Sequence, residues 1–84
     1  MEPDLHPRWQ RSHTHLQADI KRPTFKDCLE LLVQIGELAE AQQHHPDLNL
    51  HDYNQLTITL TSHDADALTD KDYRLARAID ALLL

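Results

Sequence analysis

The stretch Gln55-Leu56-Thr57-Ile58-Thr59-Leu60-Thr61-Ser62 decides the fold class. Leu56, Ile58 and Leu60 alternate with Thr57, Thr59 and Thr61, and successive side chains of an extended chain point to opposite faces. The spacing predicts a half-buried strand, packed on its aliphatic side and polar on the other. By the same alternation His63 falls on the threonine side, away from the packed face.

Helical patterns flank this strand in sequence. Upstream, from Asp27 to about His44, the residues Cys28, Leu31, Leu32, Ile35, Leu38 and Ala39 recur at helical spacing and form one apolar stripe. Leu29, Val33 and Gly36 make a second, flanking strip. That fits either a helix buried deeply in its own chain or one that also packs on another subunit. Cys28, inside the stripe, reads as a packing residue, and Pro46 ends the element. Downstream, Thr69 and Asp72 form a capping box, with Leu68 and Tyr73 placed as a hydrophobic staple. Leu75, Ala78, Ile79 and Leu82 then face the core. Between Thr14 and Phe25, Leu16, Ala18 and Ile20 alternate as in a short strand, which Pro23 is expected to break or confine to a sheet edge. Residues 1–12 carry two prolines and no periodicity and read as a loose N-terminal arm.

A chain of 84 residues allows one domain, residues 1–84, with a marginal core. Cys28 is the single cysteine, so further stability has to come from self-association rather than a disulfide. No apolar run approaches the ~20 residues that span a bilayer, and Met1 to Gln10 lacks the apolar core of a signal peptide. A soluble cytoplasmic protein without membrane contact is expected. The formal charge of -6 opposes phosphate backbones, so nucleic acid is not an expected partner. A small neutral or cationic molecule, or another protein, fits better.

Seven histidines stand out beside a single Gly and a single Phe. Imidazole titrates near neutrality and ligates metals, so chemistry is sought where histidines cluster. His44-His45-Pro46 follows a helix and His63-Asp64 follows a strand, so three imidazoles can converge from separate elements. Three readings stay open on spacing alone. One is a transition-metal site joined by Glu40 or Asp64; another is metal-free acid–base catalysis. The third is polar surface histidines at element ends. Adjacent His44 and His45 diverge and chelate one ion poorly. No phosphate loop, nucleophile elbow or zinc module is present in the sequence.

The run Ala39-Glu40-Ala41-Gln42-Gln43-His44-His45-Pro46-Asp47 resembles the signature of the pterin-4a-carbinolamine dehydratases. It is followed in the same order by Tyr53-Asn54, the strand Leu56 to Leu60, Ser62-His63-Asp64 and Leu68-Thr69-Asp70-Lys71-Asp72. The likeness runs from Glu40 to Ile79 and, more loosely, back through Phe25-Lys26-Asp27 to Trp9.

That resemblance implies an α+β fold: a four-stranded antiparallel sheet with helices packed on one face, the family's N-terminal helix missing or reduced. It implies a hydro-lyase that removes water from a 4a-hydroxytetrahydropterin to give a quinonoid dihydropterin, as in tetrahydrobiopterin recycling. His44 and His63 match the acid–base histidines and His45 a pterin-binding one. Glu40 matches a carboxylate that orients the site, and Asp72 a further site aspartate, although its capping role explains it equally well. Pro46, Ser62 and Asp64 join the expected substrate-binding set. No metal and no cofactor are expected, the pterin being the substrate. The family's habit implies a homodimer or homotetramer through the 27–44 helix and a sheet edge. The alternative on the same scaffold is a non-catalytic interaction protein: a transcription-factor dimerisation cofactor, or an assembly factor for the carbon-fixing enzyme of carboxysomes. The chain departs from the family pattern in a helix about one turn shorter, in Ser62 for threonine, in Ala67 for glycine, and in an extra residue in the loop from Leu48 to Asp52.

Overall fold

A computed structural model describes residues 5–83 of the chain. Six elements follow one another: β1 (Gln10–Arg11), β2 (Leu16–Lys21), α1 (Phe25–Gln42), β3 (Asp47–His51), β4 (Gln55–Leu60) and α2 (Asp70–Leu82). The strands form one antiparallel sheet in the order β1-β2-β4-β3.

Strand β4 follows its alternation. Leu56, Ile58 and Leu60 are fully buried, while Thr57 and Thr59 are half-buried on the other side. Its neighbour β2 buries Leu16, Ala18 and Ile20 in register, with Ala18 opposite Ile58. Both strands turn these side chains to the helices, where Leu31, Ile35 and Ala39 of α1 and Leu75, Ala76 and Ile79 of α2 complete the core. The other sheet face is polar. Thr57 there donates its hydroxyl proton to Asp19 at 2.7 Å and meets the ring of His51 at 2.9 Å. Among the described residues no helix is long and apolar enough to cross a membrane.

Four expectations are corrected. Strand β2 lies inside the sheet rather than at its edge, because Pro23 falls just beyond its last residue and removes no ladder bond. Helix α1 begins at Phe25, since the Thr24 hydroxyl caps it by accepting the Asp27 N–H at 3.1 Å, and it ends at Gln42. The segment read as a loop, Leu48 to Asp52, is mostly strand β3, with Leu48 and Leu50 packed on the core. The loose arm expected over residues 1–12 is tied down where it is described, residues 1–4 lying outside the described residues. Trp9 is in the core, and Gln10 and Arg11 pair with β2. Asp80 holds the arm, its carboxylate accepting from the indole of Trp9 at 2.8 Å and the backbone N–H of His6 at 3.0 Å.

The second strip of α1 is left uncovered by the described residues. Phe25, Leu29 and Val33 are all exposed, Val33 by 59%. Cys28 is buried, as a packing residue should be.

Candidate active site

The site is organised from the first turn of α2. The Thr69–Asp72 capping box is present, and the Thr69 N–H donates to Asp72 Oδ2 at 2.9 Å. The same Oδ2 accepts the hydroxyl of Ser62 at 2.8 Å. Ser62 spends its one proton there, so the hydroxyl of Thr69, 2.7 Å away, donates to Ser62. Asp72 is wholly buried, and its second oxygen, Oδ1, lies 2.6 Å from Nε2 of His44. A carboxylate without a proton only accepts, so His44 carries its hydrogen on Nε2 and Nδ1 is left over. One side chain thus caps a helix and fixes the tautomer and orientation of an imidazole.

His44 reaches Asp72 because of how α1 stops. Gln43 takes left-handed angles, φ 52 and ψ 42. Its N–H bonds to Glu40 O at 3.3 Å and the next N–H, of His44, to Ala39 O at 3.1 Å. This paired closure is a Schellman turn, usually built on glycine. The side chain of Gln43 adds a bond to Glu40 O at 2.7 Å. The turn sends the chain off the helix axis and leaves His44 almost enclosed, with 11% of its side chain exposed.

His44 opens onto a cleft of about 680 Å³. His45, His63, Ser62 and Asp64 also line it, so the two histidine-bearing segments border one cleft. His63 and Asp64 are exposed, and His63 uses its ring for no hydrogen bond to the described residues. Lys71 and Arg74, at i, i+3 on α2, complete the same wall; Lys71 stands in the family-like run Leu68 to Asp72, and nothing in the sequence marked Arg74.

Glu40, read as a carboxylate that orients the site, faces His45, pairing with it through Oε2 and Nε2, and both side chains are largely exposed. Glu40 and Pro46 line a separate hollow that shares only His45 with the cleft. Consecutive residues in the segment after the Schellman turn point apart, so the His-His pair serves two neighbouring spaces. Ser62 also turns inward to Asp72 rather than outward.

The profile of the family described as pterin 4 alpha carbinolamine dehydratase matches residues 1–82. A protein of Picosynechococcus sp., provisionally named pterin-4-alpha-carbinolamine dehydratase, is 38% identical over 76 residues, covering 90% of this chain and 82% of its own. A protein of the same provisional name from a Mycobacterium sp. is 36% identical over 75 residues, 89% of this chain and 79% of that one. Among solved structures, the transcriptional coactivator/pterin dehydratase of Brucella melitensis superposes with a TM-score of 0.82 at 26% identity, over 90% of this chain and 82% of the other. A pterin dehydratase-like protein identified as a RuBisCO assembly factor in the alpha-carboxysome shares the fold, with a TM-score of 0.69 at 21% identity over 89% and 86% of the two chains.

Proposed function

The chain belongs to the pterin 4 alpha carbinolamine dehydratase family, and from that premise we propose that it removes water from a 4a-hydroxytetrahydropterin by proton transfer between histidines. The observation that carries this reading is His44 held at 2.6 Å by the buried Asp72, in one cleft with the unbonded ring of His63. Hydroxide leaves carbon poorly unless an acid protonates the oxygen as the bond breaks. A base must also take the proton of the ring nitrogen that forms the new double bond. His44 is the base, because Asp72 stabilises the imidazolium that forms when Nδ1 accepts the proton. His63 is the acid that turns the departing hydroxyl into water. The two exchange roles with solvent to reset, and each such transfer is worth ~10²–10⁴-fold. His45, braced by Glu40, binds the pterin from the rim, and Asp64 offers a second polar contact. Water is the product and not the nucleophile, so the scheme asks for no metal-activated water.

Self-association belongs to the same reading. The uncovered Phe25, Leu29 and Val33 stripe and the open edge of β3 are the surfaces through which copies of the chain would meet. That stripe is also the observation favouring the second reading, a non-catalytic interaction protein. The test is spectroscopic decay of a synthetic 4a-hydroxytetrahydropterin with and without protein. Acceleration over buffer supports the dehydratase. A rate equal to buffer, with folded protein confirmed by circular dichroism, transfers the chain to the interaction reading.

A further inference from the structure

The wall that α2 gives the cleft carries two cations for which the proposed proton transfer has no use. Lys71 and Arg74 stand three residues apart on the helix, and both are exposed. Neither makes a hydrogen bond or an ion pair with any of the described residues. Asp70, four residues before Arg74, is spaced for an ion pair along the helix surface, yet the pair is not made. Arg77, a further step of three along α2, is exposed as well and extends the row beyond the cleft.

Helix stability does not account for this row. Lys71 lies in the first turn of α2, where the helix dipole disfavours positive charge. Like charges on neighbouring turns of one helix repel each other. The row stands in a chain with only eight Lys and Arg against fourteen Asp and Glu, so carboxylates to quench it are plentiful. The cleft is accordingly less negative than the chain around it. Lys71 and Arg74 there face Asp64 and Asp70, a formal balance of zero before any histidine is protonated, whereas the whole chain carries -6. The buried Asp72 is turned inward to His44 and the helix cap. More distant charge is screened beyond ~8–10 Å at moderate salt, so the local set governs what settles in the cleft.

An anion can reach these cations on the substrate's own tail. The bicyclic ring of a tetrahydropterin is neutral, and its variable side chain is separated from the reacting carbon by a single ring nitrogen. A ring placed between His44 and His63 therefore keeps its side chain within the same cleft. At about 680 Å³ the cleft is larger than the ring alone fills. An ammonium and a guanidinium on long, flexible stems can converge on one anion there, the guanidinium through two parallel hydrogen bonds.

We propose that Lys71 and Arg74 select pterins whose side chain carries an anion, a phosphate or a carboxylate, and hold that anion at the α2 wall of the cleft. This rests on the dehydratase reading for the identity of the ring. The histidines act on the ring and the two cations on the tail, so the pair sets specificity and leaves the proton transfers to His44 and His63.

Three 4a-hydroxytetrahydropterins with the same ring provide the test: one with a neutral diol side chain, one with its phosphate monoester and one with a carboxylate. For at least one anion kcat/KM should exceed that for the diol by ~10-fold or more, mainly through KM. Lys71→Gln and Arg74→Gln should each cut that ratio by ~3–5-fold, and together remove most of it. Lys71→Arg keeps the charge and should keep the preference. Lys26→Gln, which deletes an exposed cation of α1 outside the cleft, should keep it too. Raising salt from about 0.01 M to 1 M should shrink it. Fluorescence titration with the corresponding oxidised pterins, which bind without reacting, should give the same order of affinity. Equal treatment of anions and diol by the unmodified protein overturns the proposal. So does a preference that survives the double variant or high salt, or one that Lys26→Gln removes equally. A preference in the titration by a protein without turnover sinks the dehydratase reading and leaves the anion site standing, and turnover without preference does the reverse.

Discussion

The two oxygens of Asp72 have different partners, Oδ2 the helix cap and Ser62, Oδ1 the ring of His44, so substitutions there separate the cap from the proposed chemistry. Asp72→Ala strips acceptors from Ser62, the Thr69 N–H and His44 in a fully buried place, and should cost about 2–4 kcal/mol in a denaturant melt. Asp72→Asn retains an oxygen for the cap and should melt much closer to the parent, yet lose turnover because the amide no longer stabilises an imidazolium. Equal stability losses with turnover intact would reduce Asp72 to a cap. The histidines divide similarly. His63→Ala should cut turnover by ~10²-fold or more without moving the melting temperature, since the ring is exposed and bonds to none of the described residues. His45→Ala should raise KM and spare kcat. Turnover should also survive prolonged treatment with a strong chelator. Loss restored by zinc would return the three histidines to the metal reading.

At the scale of elements, legibility tracked whether a signal was local. The alternation of Leu56, Ile58 and Leu60 and the Thr69–Asp72 box each specify themselves within a few residues, and both stand where they were read. β3 escaped because only Leu48 and Leu50 alternate, and because its hairpin turns on Asp52 and Tyr53 at positive φ without the glycine that announces such turns. Gln43 hid the Schellman turn for the same reason, and with it the pairing of Glu40 with His45. β1 is two residues long and exists only by pairing with Leu16 and Gln17. The arm before it is held by Asp80, seventy-one positions from Trp9, a separation no periodicity encodes. Asp80→Ala should therefore cost about 1–2 kcal/mol and shift the fluorescence of Trp9, the sole tryptophan, to the red. An unshifted spectrum would mean that the arm stays docked by its apolar contacts alone.

For the whole molecule, the proposed self-association would bury the α1 face of Phe25, Leu29 and Val33, which the described residues leave exposed. Val33→Glu should leave the protomer folded, because Val33 is 59% exposed within it, and should weaken any assembly that buries this face. Light scattering at micromolar concentration reads the effect, and an unchanged mass would remove α1 from the interface. The central claim is that this family member catalyses dehydration with His44 and His63 as its proton carriers. Stopped-flow decay of a 4a-hydroxytetrahydropterin, measured side by side for the unmodified protein and for the double variant His44→Ala/His63→Ala, tests it most directly. The account predicts rapid decay with the first and a rate near that of buffer with the second, both proteins giving the same circular dichroism. Decay by the double variant as fast as by the unmodified protein would contradict it.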